Sequence, residues 1–380
     1  MKKIVIAADS FKGSISSKTF ADVCEASILS LQPLCEVVKI PLGDGGEGTV
    51  DALISSLGAR RITVRVADPL MRPHDAVYGI TPDGKTAIME MAQASGLPML
   101  AENERNPLLT STYGTGLMIK DALDRGCDHI MLGIGGSATN DGGIGMLGAL
   151  GAKFYDCADK LLPDARSGRD LAEICRIDLS TLDRRLATVQ IDVACDVDNP
   201  FCGERGATKV FARQKGADDR MIEDLETAMR HFAAVLKSAT GCDVASMAGA
   251  GAAGGLGGAL AAALHARLMP GIDMVLQAVD FDRQIAGADM IITGEGRIDS
   301  QTLMGKTPYG VLKAARRQNI PVVAIGGSVD YSTSLCEAGF AGIFSIQTAP
   351  VALEKALDPA YASGNLAATI GQIIGLITAF

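Results

Sequence analysis

The sequence predicts an α/β protein of two domains, one of which is formed by both ends of the chain. Strand-loop-helix units occur at the start of the chain and return near its end, which is typical of a parallel sheet with crossover helices. Between these two parts, apolar and polar residues alternate instead. A chain of 380 residues is also too long for one ordinary core.

The first domain is predicted to contain residues 1–68 and 282–380. The opening of the chain alternates strands with helices, over 3–8, 17–31, 37–41 and 49–57. The same order returns near the C-terminus, where three apolar stretches are predicted to be strands between helices: ADMIITGEG, PVVAIGG and GIFSIQT. The alternation predicts one parallel sheet made from both chain ends.

The middle of the chain, 69–281, is predicted to form an inserted mixed α/β domain. RITVRVADPL and HDAVYGITPDGKTAIMEMA alternate apolar with polar residues around a PDGK turn at 82–85, which indicates antiparallel strands. Buried strands are predicted over 128–132 and 189–201, and 217–238 is amphipathic with a helical period.

Composition excludes some classes of protein. With 48% hydrophobic and 21% charged residues, the chain is globular rather than disordered. A net charge of −9, no Trp and 4% aromatic residues argue against a nucleic-acid partner. Anionic small molecules remain compatible with an acidic protein, because a site can be locally positive.

Localisation is predicted to be cytoplasmic, with no membrane partner. No window of 18 apolar residues without charge is found, so no membrane span is expected. The nine cysteines contain no C-x-x-C pair, which favours reduced thiols over a disulfide framework or a zinc ribbon. The chain is expected to act as a monomer or a homodimer.

Several loops at predicted strand ends combine glycine with charged residues. Four are DSFKGS (9–14), PLGDGGEGT (41–49), GIGGSATNDGG (133–143) and TGEGRIDSQT (293–302), and two further candidates are CDVDNP (195–200) and ARQKGA (212–217). In open α/β sheets, ligands bind at the carboxyl ends of the strands. The repetition of one unusual composition at several strand ends indicates a shared binding function.

These loops contain the residue types that phosphoryl transfer requires. Glycine backbones can approach phosphate closely, and cations can neutralise its oxygens: Lys12, Lys215 and Arg297. Carboxylates can bind Mg²⁺ or deprotonate the attacking hydroxyl, and the candidates are Asp44, Asp141, Asp192, Asp196 and Asp299. Each loop taken alone is equally compatible with a tight turn or a helix cap.

Two rival functions remain open from the residues alone. GAGAAG (249–254) and GIGGSA (133–138) fit the dinucleotide fingerprint, which would indicate an NAD-dependent dehydrogenase of a small hydroxy acid. The other rival is a ligand-binding protein without catalysis. QTLMGKT (301–307) resembles the end of a P-loop, but Ser300 stands where that motif requires glycine, so a Walker A site is rejected.

A series of stretches along the chain resembles the type-1 glycerate kinase family. In order they are IVIAADSFKGS, PLGDGGEGTV, TAIMEMAQASGL, STYGTGLMIKDAL, GIGGSATNDGGIGMLGALGAKF, VACDVDNPF, GAGAAGGLGGAL and ITGEGRIDSQTLMGKTPYGV. The resemblance implies phosphorylation of D-glycerate by ATP with Mg²⁺. It implies a Rossmann-like parallel-sheet domain, an inserted α/β domain and an active site in the cleft between them. Relatives commonly form 2-phosphoglycerate, with 3-phosphoglycerate as the alternative product.

The chain also departs from the family pattern. Gly13 stands where relatives often carry an acid, and Gly43 stands where alanine is usual. The largest departure is LPDARSGRDL, in which Arg166 and Arg169 replace part of a glycine-rich turn. If that turn contacts nucleotide, the two arginines would alter affinity.

Specific roles follow as hypotheses from residue type and loop position. Asp44 is the candidate base, Arg297 would neutralise transition-state charge and Asp299 would orient Arg297. Substrate binding is assigned to Ser10, Lys12 and Lys215, with Lys12 also a catalytic candidate. Nucleotide binding is assigned to Gly135, Gly136, Ser137, Thr139, Gly142 and Gly143. Mg²⁺ is assigned to Asp196 and Asp192.

Overall fold

The protein is described here from a computed structural model, which covers residues 1–43, 49–164 and 166–379. Its strands are β1 (Lys3–Ile6), β2 (Glu36–Lys39), β3 (Arg60–Ala67), β4 (Pro73–Ile80), β5 (Thr86–Glu90), β6 (His129–Gly133), β7 (Lys153–Tyr155), β8 (Arg176–Asp178), β9 (Gln190–Ala194), β10 (Arg267–Met269), β11 (Met290–Ile298), β12 (Val322–Val329) and β13 (Gly342–Ser345).

The α-helices alternate with these strands over much of the chain. They are α1 (Ser17–Leu31), α2 (Thr49–Leu57), α3 (Ala92–Ser95), α4 (Tyr113–Asp124), α5 (Ile144–Ala149), α6 (Ala207–Phe211), α7 (Asp219–Thr240), α8 (Leu256–Leu264), α9 (Gly271–Ala278), α10 (Phe281–Gln284), α11 (Thr307–Arg316), α12 (Thr333–Glu337), α13 (Leu353–Leu357) and α14 (Pro359–Thr378). The α/β class predicted from the sequence is confirmed.

The chain divides into two compact units. The first is formed by residues 1–44, 51–57 and 272–380, and the second by 45–50 and 58–271. These divisions fall earlier than the predicted boundaries after 68 and 281, because β3 pairs with β4 and Ile272 lies against Gly310 of α11. The assignment of domains itself stays a prediction.

The first unit contains a five-stranded sheet in the order β13-β12-β11-β1-β2. All of its neighbouring strands are parallel. In β1 the residues Ile4, Val5 and Ile6 are all fully buried, which is the continuous apolar pattern of a strand covered on both faces. The order changes direction between β1 and β11, so this unit has a topological switch point there.

The second unit contains a six-stranded mixed sheet in the order β10-β9-β6-β5-β4-β3. Strands β5, β6, β9 and β10 are parallel, whereas β3, β4 and β5 pair antiparallel. The predicted turn between β4 and β5 is confirmed, and Gly84 adopts φ +74° in it. The loops after β6 and β9 therefore emerge at the same edge of the sheet.

A small antiparallel ladder joins β7 to β8 in the second unit. Tyr155 is paired with Arg176, so Cys157 and Cys175 face each other just beyond the ladder, with Cα atoms 5.1 Å apart. These two cysteines form a disulfide. The expectation of reduced thiols throughout is therefore wrong for this pair, because strand pairing rather than sequence spacing brings the two sulfurs together.

Helix α14 is the one helix in the described ranges that is long and apolar enough to cross a membrane by length and composition. One of its faces is buried, and this face includes Leu366, Ile370 and Ile374. It belongs to the same apolar core as Phe20 and Ile28 of α1. This pattern is typical of a helix that packs against its own protein.

The packing role of α14 predicts a clear difference between two leucines on the same helix. Leu366 is fully buried and Leu376 is 61% exposed. Leu366→Ala is expected to lower the free energy of unfolding by about 2–5 kcal/mol, because it removes buried methyl groups and leaves a cavity. Leu376→Ala is expected to change it by less than about 0.5 kcal/mol. Urea denaturation measures both, and equal effects would contradict the packing of α14.

Candidate functional site

A cavity of about 430 Å³ lies in the first unit, and we call it the switch-point pocket. It is lined by the loops that follow β1 and β13, by the C-terminal parts of β11 and β12, by Lys306 and by residues of α13. The loops after β1 and β11 flank the position at which the strand order reverses. This is where open α/β sheets bind their ligands.

Three cationic side chains line the switch-point pocket: Lys12, Arg297 and Lys306. Arg297 Nε lies 3.1 Å from Asp299 Oδ2, and Lys306 Nζ lies 3.9 Å from Asp299 Oδ1. Asp299 also accepts a hydrogen bond from the backbone N–H of Gln301 at 2.9 Å, which anchors its carboxylate. Asp299 therefore orients Arg297, whereas Lys306 lies between Asp299 and Glu295, whose Oε2 is 3.8 Å from the Lys306 Nζ.

Two neutral side chains in the same pocket have buried oxygen atoms without a hydrogen-bond partner in the described part of the chain. They are the hydroxyl of Ser14 and the amide oxygen of Gln347. Burying an unsatisfied polar atom is unfavourable, so such atoms are uncommon in folded proteins. Their position at the wall of a cavity indicates that a polar ligand completes their hydrogen bonding.

A second cavity, of about 350 Å³, lies in the second unit, and we call it the glycine-loop pocket. The loops after β6 and β9 line it, including Gly135, Gly136 and Ser137. Gly136 needs glycine because its φ is +70°. Gly135 has no such strain, and a Cβ there would meet nothing within 4 Å. Glycine at 135 therefore leaves open volume where a ligand can approach the backbone.

Backbone strain marks another part of this pocket. Ala253 lines the glycine-loop pocket and adopts φ +53°, which is unfavourable for a residue with a Cβ. It belongs to GAGAAG, one of the two dinucleotide fingerprint matches. In the structure that stretch does not follow a strand, as the fingerprint requires. Its glycines instead allow close packing, because a Cβ on Gly251 would lie 2.2 Å from the carbonyl oxygen of Pro200.

Lys215 is buried in the second unit, where it lines the glycine-loop pocket. Its Nζ donates a hydrogen bond to the carbonyl oxygen of Thr139 at 2.6 Å. Burial lowers the pKa of Lys215 to about 7, against an opposing effect of the Asp141 charge. The sequence grouped Lys215 with Ser10 and Lys12, which line the switch-point pocket of the other unit. The assignment of Lys215 to substrate binding stays a prediction.

Asp141 is a structural residue in the loop after β6. Its carboxylate is fully buried and accepts hydrogen bonds from the backbone N–H and hydroxyl of Thr112, at 2.7 and 2.8 Å. It also accepts the N–H groups of Gly143 and Gly145, at 3.1 and 3.3 Å. Burial raises the pKa of Asp141, although these donors favour its charged form. With all four donors satisfied, Asp141 ties the loop to the start of α4 and α5.

Three residues assigned to nucleotide binding lie among packing contacts rather than at the pocket wall. A Cβ on Gly142 would lie 3.1 Å from Phe232, and one on Gly143 would lie 2.4 Å from the Ala259 Cβ. The Thr139 hydroxyl is buried without a partner in the described residues. Gly142, Gly143 and Thr139 therefore lie in the packed interior behind the loop, whereas Gly135, Gly136 and Ser137 line the cavity.

The two carboxylates predicted to hold metal lie in different surroundings. Asp196 lines the glycine-loop pocket and accepts a hydrogen bond from the N–H of Gly271 at 2.8 Å. Asp192 forms a two-point ion pair with Arg267, at 2.6 and 2.8 Å, and accepts further hydrogen bonds. Burial would raise the pKa of Asp192, but Arg267, Gln190 and His129 together hold it below its usual value. The prediction of Asp192 as a metal ligand is therefore not supported.

The carboxylate of Asp196 could hold Mg²⁺ only if a phosphate ligand supplied further oxygen atoms. No group of three His, Cys, Asp or Glu side chains that could hold a metal occurs in the described ranges. Mg²⁺ is usually held in proteins by one or two carboxylates, water and substrate phosphates. Asp196 beside the open backbone at Gly135 matches that arrangement.

Asp44, the candidate base, lies outside the described residues. The structure adds pocket residues without an assigned role in the sequence: Ser14, Glu295, Lys306, Gln347 and Gln214. Glu295 is the acidic residue of the GEGR stretch and could have been found by its charge. Ser14 and Gln347 are neutral and carry no motif.

The two arginines of the departing turn line neither pocket. Arg166 is buried, and its Nε donates to the carbonyl oxygen of Pro163 at 2.9 Å. Its guanidinium also lies 3.4 Å from Glu173, whereas Arg169 is exposed. Arg166 therefore stabilises the turn in which this chain departs from the glycine-rich family pattern.

Comparison with known proteins identifies the family. The model of the glycerate kinase family matches residues 4–378. A glycerate kinase of Bacillus cereus is 50% identical over 93% of each chain, and the glycerate 2-kinase of Escherichia coli is 43% identical over 97% of this chain and 98% of its own. The crystal structure of a putative glycerate kinase 2 from Salmonella typhimurium superposes with a TM-score of 0.90 at 44% identity, covering 100% of this chain and 98% of that one. The chain belongs to the glycerate kinase family.

Proposed function

We propose that this protein transfers the γ-phosphoryl group of ATP to a hydroxyl of D-glycerate and forms 2-phosphoglycerate. The observation that carries the proposal is identity of 43–50% over more than nine-tenths of the chain to proteins named glycerate kinase or glycerate 2-kinase. Family membership makes the chain a kinase, with ATP as its phosphoryl donor. The NAD-dependent dehydrogenase is set aside, because these relatives are named as kinases.

The glycine-loop pocket is our proposed site for the nucleotide phosphates. Three features support this assignment: the open backbone at Gly135, the hydroxyl of Ser137 and the buried cation of Lys215. Backbone N–H groups and a nearby cation together bind phosphate oxygens. Gly142, Gly143 and Thr139 act by holding this loop in place.

Asp196 is the proposed protein ligand of Mg²⁺. Mg²⁺ bound there with the ATP phosphates would neutralise negative charge on the oxygens of the transferred group. Because Asp196 accepts a hydrogen bond from Gly271, its carboxylate is already oriented before any ion binds. Asp192 has no part in this proposal.

The switch-point pocket is our proposed site for glycerate. Lys12 and Ser10 would bind the glycerate carboxylate, and the Ser14 hydroxyl and Gln347 amide would bind its hydroxyl groups. Arg297, oriented by Asp299, would stabilise negative charge that develops during transfer. Cytoplasmic location, a monomeric or dimeric state and the absence of nucleic-acid and membrane partners stay predictions.

The activity is tested directly by a coupled assay of ADP release with D-glycerate and Mg-ATP. Release of ADP that depends on glycerate is the expected result, and phosphorus NMR of the product should identify 2-phosphoglycerate. A 3-phosphoglycerate product would correct the regiochemistry. No glycerate-dependent release by the folded protein would overturn the proposed activity.

The assignment of ligands to pockets predicts that two small substitutions each raise the KM for a different substrate. Gly135→Ala is expected to raise the KM for ATP by about tenfold or more, because its methyl group occupies space reserved for phosphate. Ser14→Ala is expected to raise the KM for glycerate about threefold to tenfold, the effect of one lost hydrogen bond. Each variant should leave the other KM unchanged.

A matched glycine control is available on α14. A Cβ on Gly371 meets nothing within 4 Å, so Gly371→Ala adds the same methyl group outside either pocket and should change neither KM. Steady-state kinetics with each substrate varied in turn measure all three variants. If Gly135→Ala acts on glycerate and Ser14→Ala acts on ATP, the two assignments are reversed.

Asp44 is retained as the proposed base on the strength of its glycine loop. Asp44→Asn removes the proton acceptor but keeps the side-chain shape, so kcat should fall about 10²–10⁴-fold with the KM for ATP nearly unchanged. Asp75→Asn, on an exposed strand position paired with Arg65, is the control and should retain full turnover. Normal turnover in Asp44→Asn would rule out its role as base.

A further inference from the structure

Lys215 has unused hydrogen-bonding capacity inside the glycine-loop pocket. An ammonium group carries three N–H donors, and one of them is accounted for by the Thr139 carbonyl oxygen at 2.6 Å. No carboxylate of the described ranges lies within 4 Å of Nζ. A buried cation with one neutral acceptor is costly, and it becomes favourable when an anion enters the cavity.

The charged groups around Lys215 leave this capacity open to a ligand. Asp141, in the loop on which Lys215 packs, interacts with its charge, but the Asp141 carboxylate already accepts four hydrogen bonds. Asp196 lines the pocket from the strand-end loop after β9, together with Cys195. On the turn that carries Lys215, Arg213 is exposed and paired with Asp219.

We infer that Lys215 is neutral in the free protein at mildly alkaline pH and takes up a proton when a phosphate group binds beside Gly135 and Ser137. The glycine-loop pocket would then bind the nucleotide phosphate together with one proton. This inference rests on the proposed nucleotide site and adds a regulatory property to it. The lowered pKa of Lys215, about 7, agrees with the geometry.

The direction of the pH effect follows from linkage. A phosphate dianion beside Nζ raises the pKa of Lys215, so the bound state holds more protons than the free state above pH 7. Affinity for the nucleotide should therefore fall as pH rises through this range, by up to about tenfold per pH unit. Below pH 7 the lysine is already charged, and its contribution to the pH dependence should disappear.

Titration calorimetry with Mg-ADP at pH 8 tests the inference in the intact protein. A terminal phosphate has its second pKa near 6, so at pH 8 the ligand brings essentially no proton. Binding enthalpies measured in two buffers of different ionisation enthalpy yield the number of protons taken up. If Lys215 is largely neutral in the free protein at pH 8, net proton uptake that approaches one proton per ADP is expected.

Two substitutions identify the group that takes up the proton. Lys215→Met keeps the length of the side chain without its charge, and it should abolish proton uptake and weaken ADP binding at least tenfold at pH 7. Lys209→Met, on neighbouring α6 where Lys209 pairs with Glu223, is the matched control and should leave both quantities unchanged.

The outcomes separate this inference from the proposed function. ADP binding to the wild-type protein without proton uptake overturns the inference but leaves the kinase assignment intact. Uptake that persists in Lys215→Met also overturns it, because another group would then be the acceptor. The wild-type measurement in two buffers decides the matter even if Lys215→Met does not fold. Failure of the glycerate assay alone would refute the activity and not the proton uptake.

Discussion

Parallel strand pairing is the constraint on which both pockets depend. When strands run in the same direction, all their carboxyl ends reach one edge of the sheet, and the loops that leave them converge there. In the first unit this edge brings Lys12 together with Arg297, which are distant in sequence. In the second it brings the Gly135 loop together with Asp196. The antiparallel strands β3 and β4 add width to that sheet without contributing to the pocket wall.

Hydrogen bonding from buried groups then fixes the shape of the converging loops. Asp141 accepts hydrogen bonds inside the loop after β6, and the Lys215 Nζ donates a hydrogen bond to the Thr139 carbonyl oxygen of the same loop. Both groups lie in a medium that penalises charge, so each needs its partners to be in place. The loop backbone is consequently organised before a ligand arrives, which lowers the entropy lost on binding.

The sequence was sufficient for the fold and for the loops that bear the pockets. Buried apolar runs such as Ile4–Ile6 and the alternation in β3 determine strand type locally, so they can be recognised without tertiary information. Side-chain partners depend on distant segments and were harder to predict. Asp192 was placed beside Asp196 by a period of two, but β9 ends at Ala194 and Arg267 of β10 takes the Asp192 carboxylate. Ser14 and Gln347 could not be predicted as pocket residues, because neutral polar side chains indicate a site only when they are buried without a partner.

The disulfide between Cys157 and Cys175 affects more than its own hairpin. It closes a segment that contains Gly168, where a Cβ would lie 2.9 Å from the carbonyl oxygen of Asn140 in the loop after β6. A reducing medium would release this cross-link and enlarge the conformational freedom of the segment in the unfolded chain. Protein purified with and without thiol reductant would then differ in resistance to proteolytic cleavage between the two cysteines. The oxidation state of Cys157 and Cys175 in a preparation therefore affects how the protein resists cleavage in this segment.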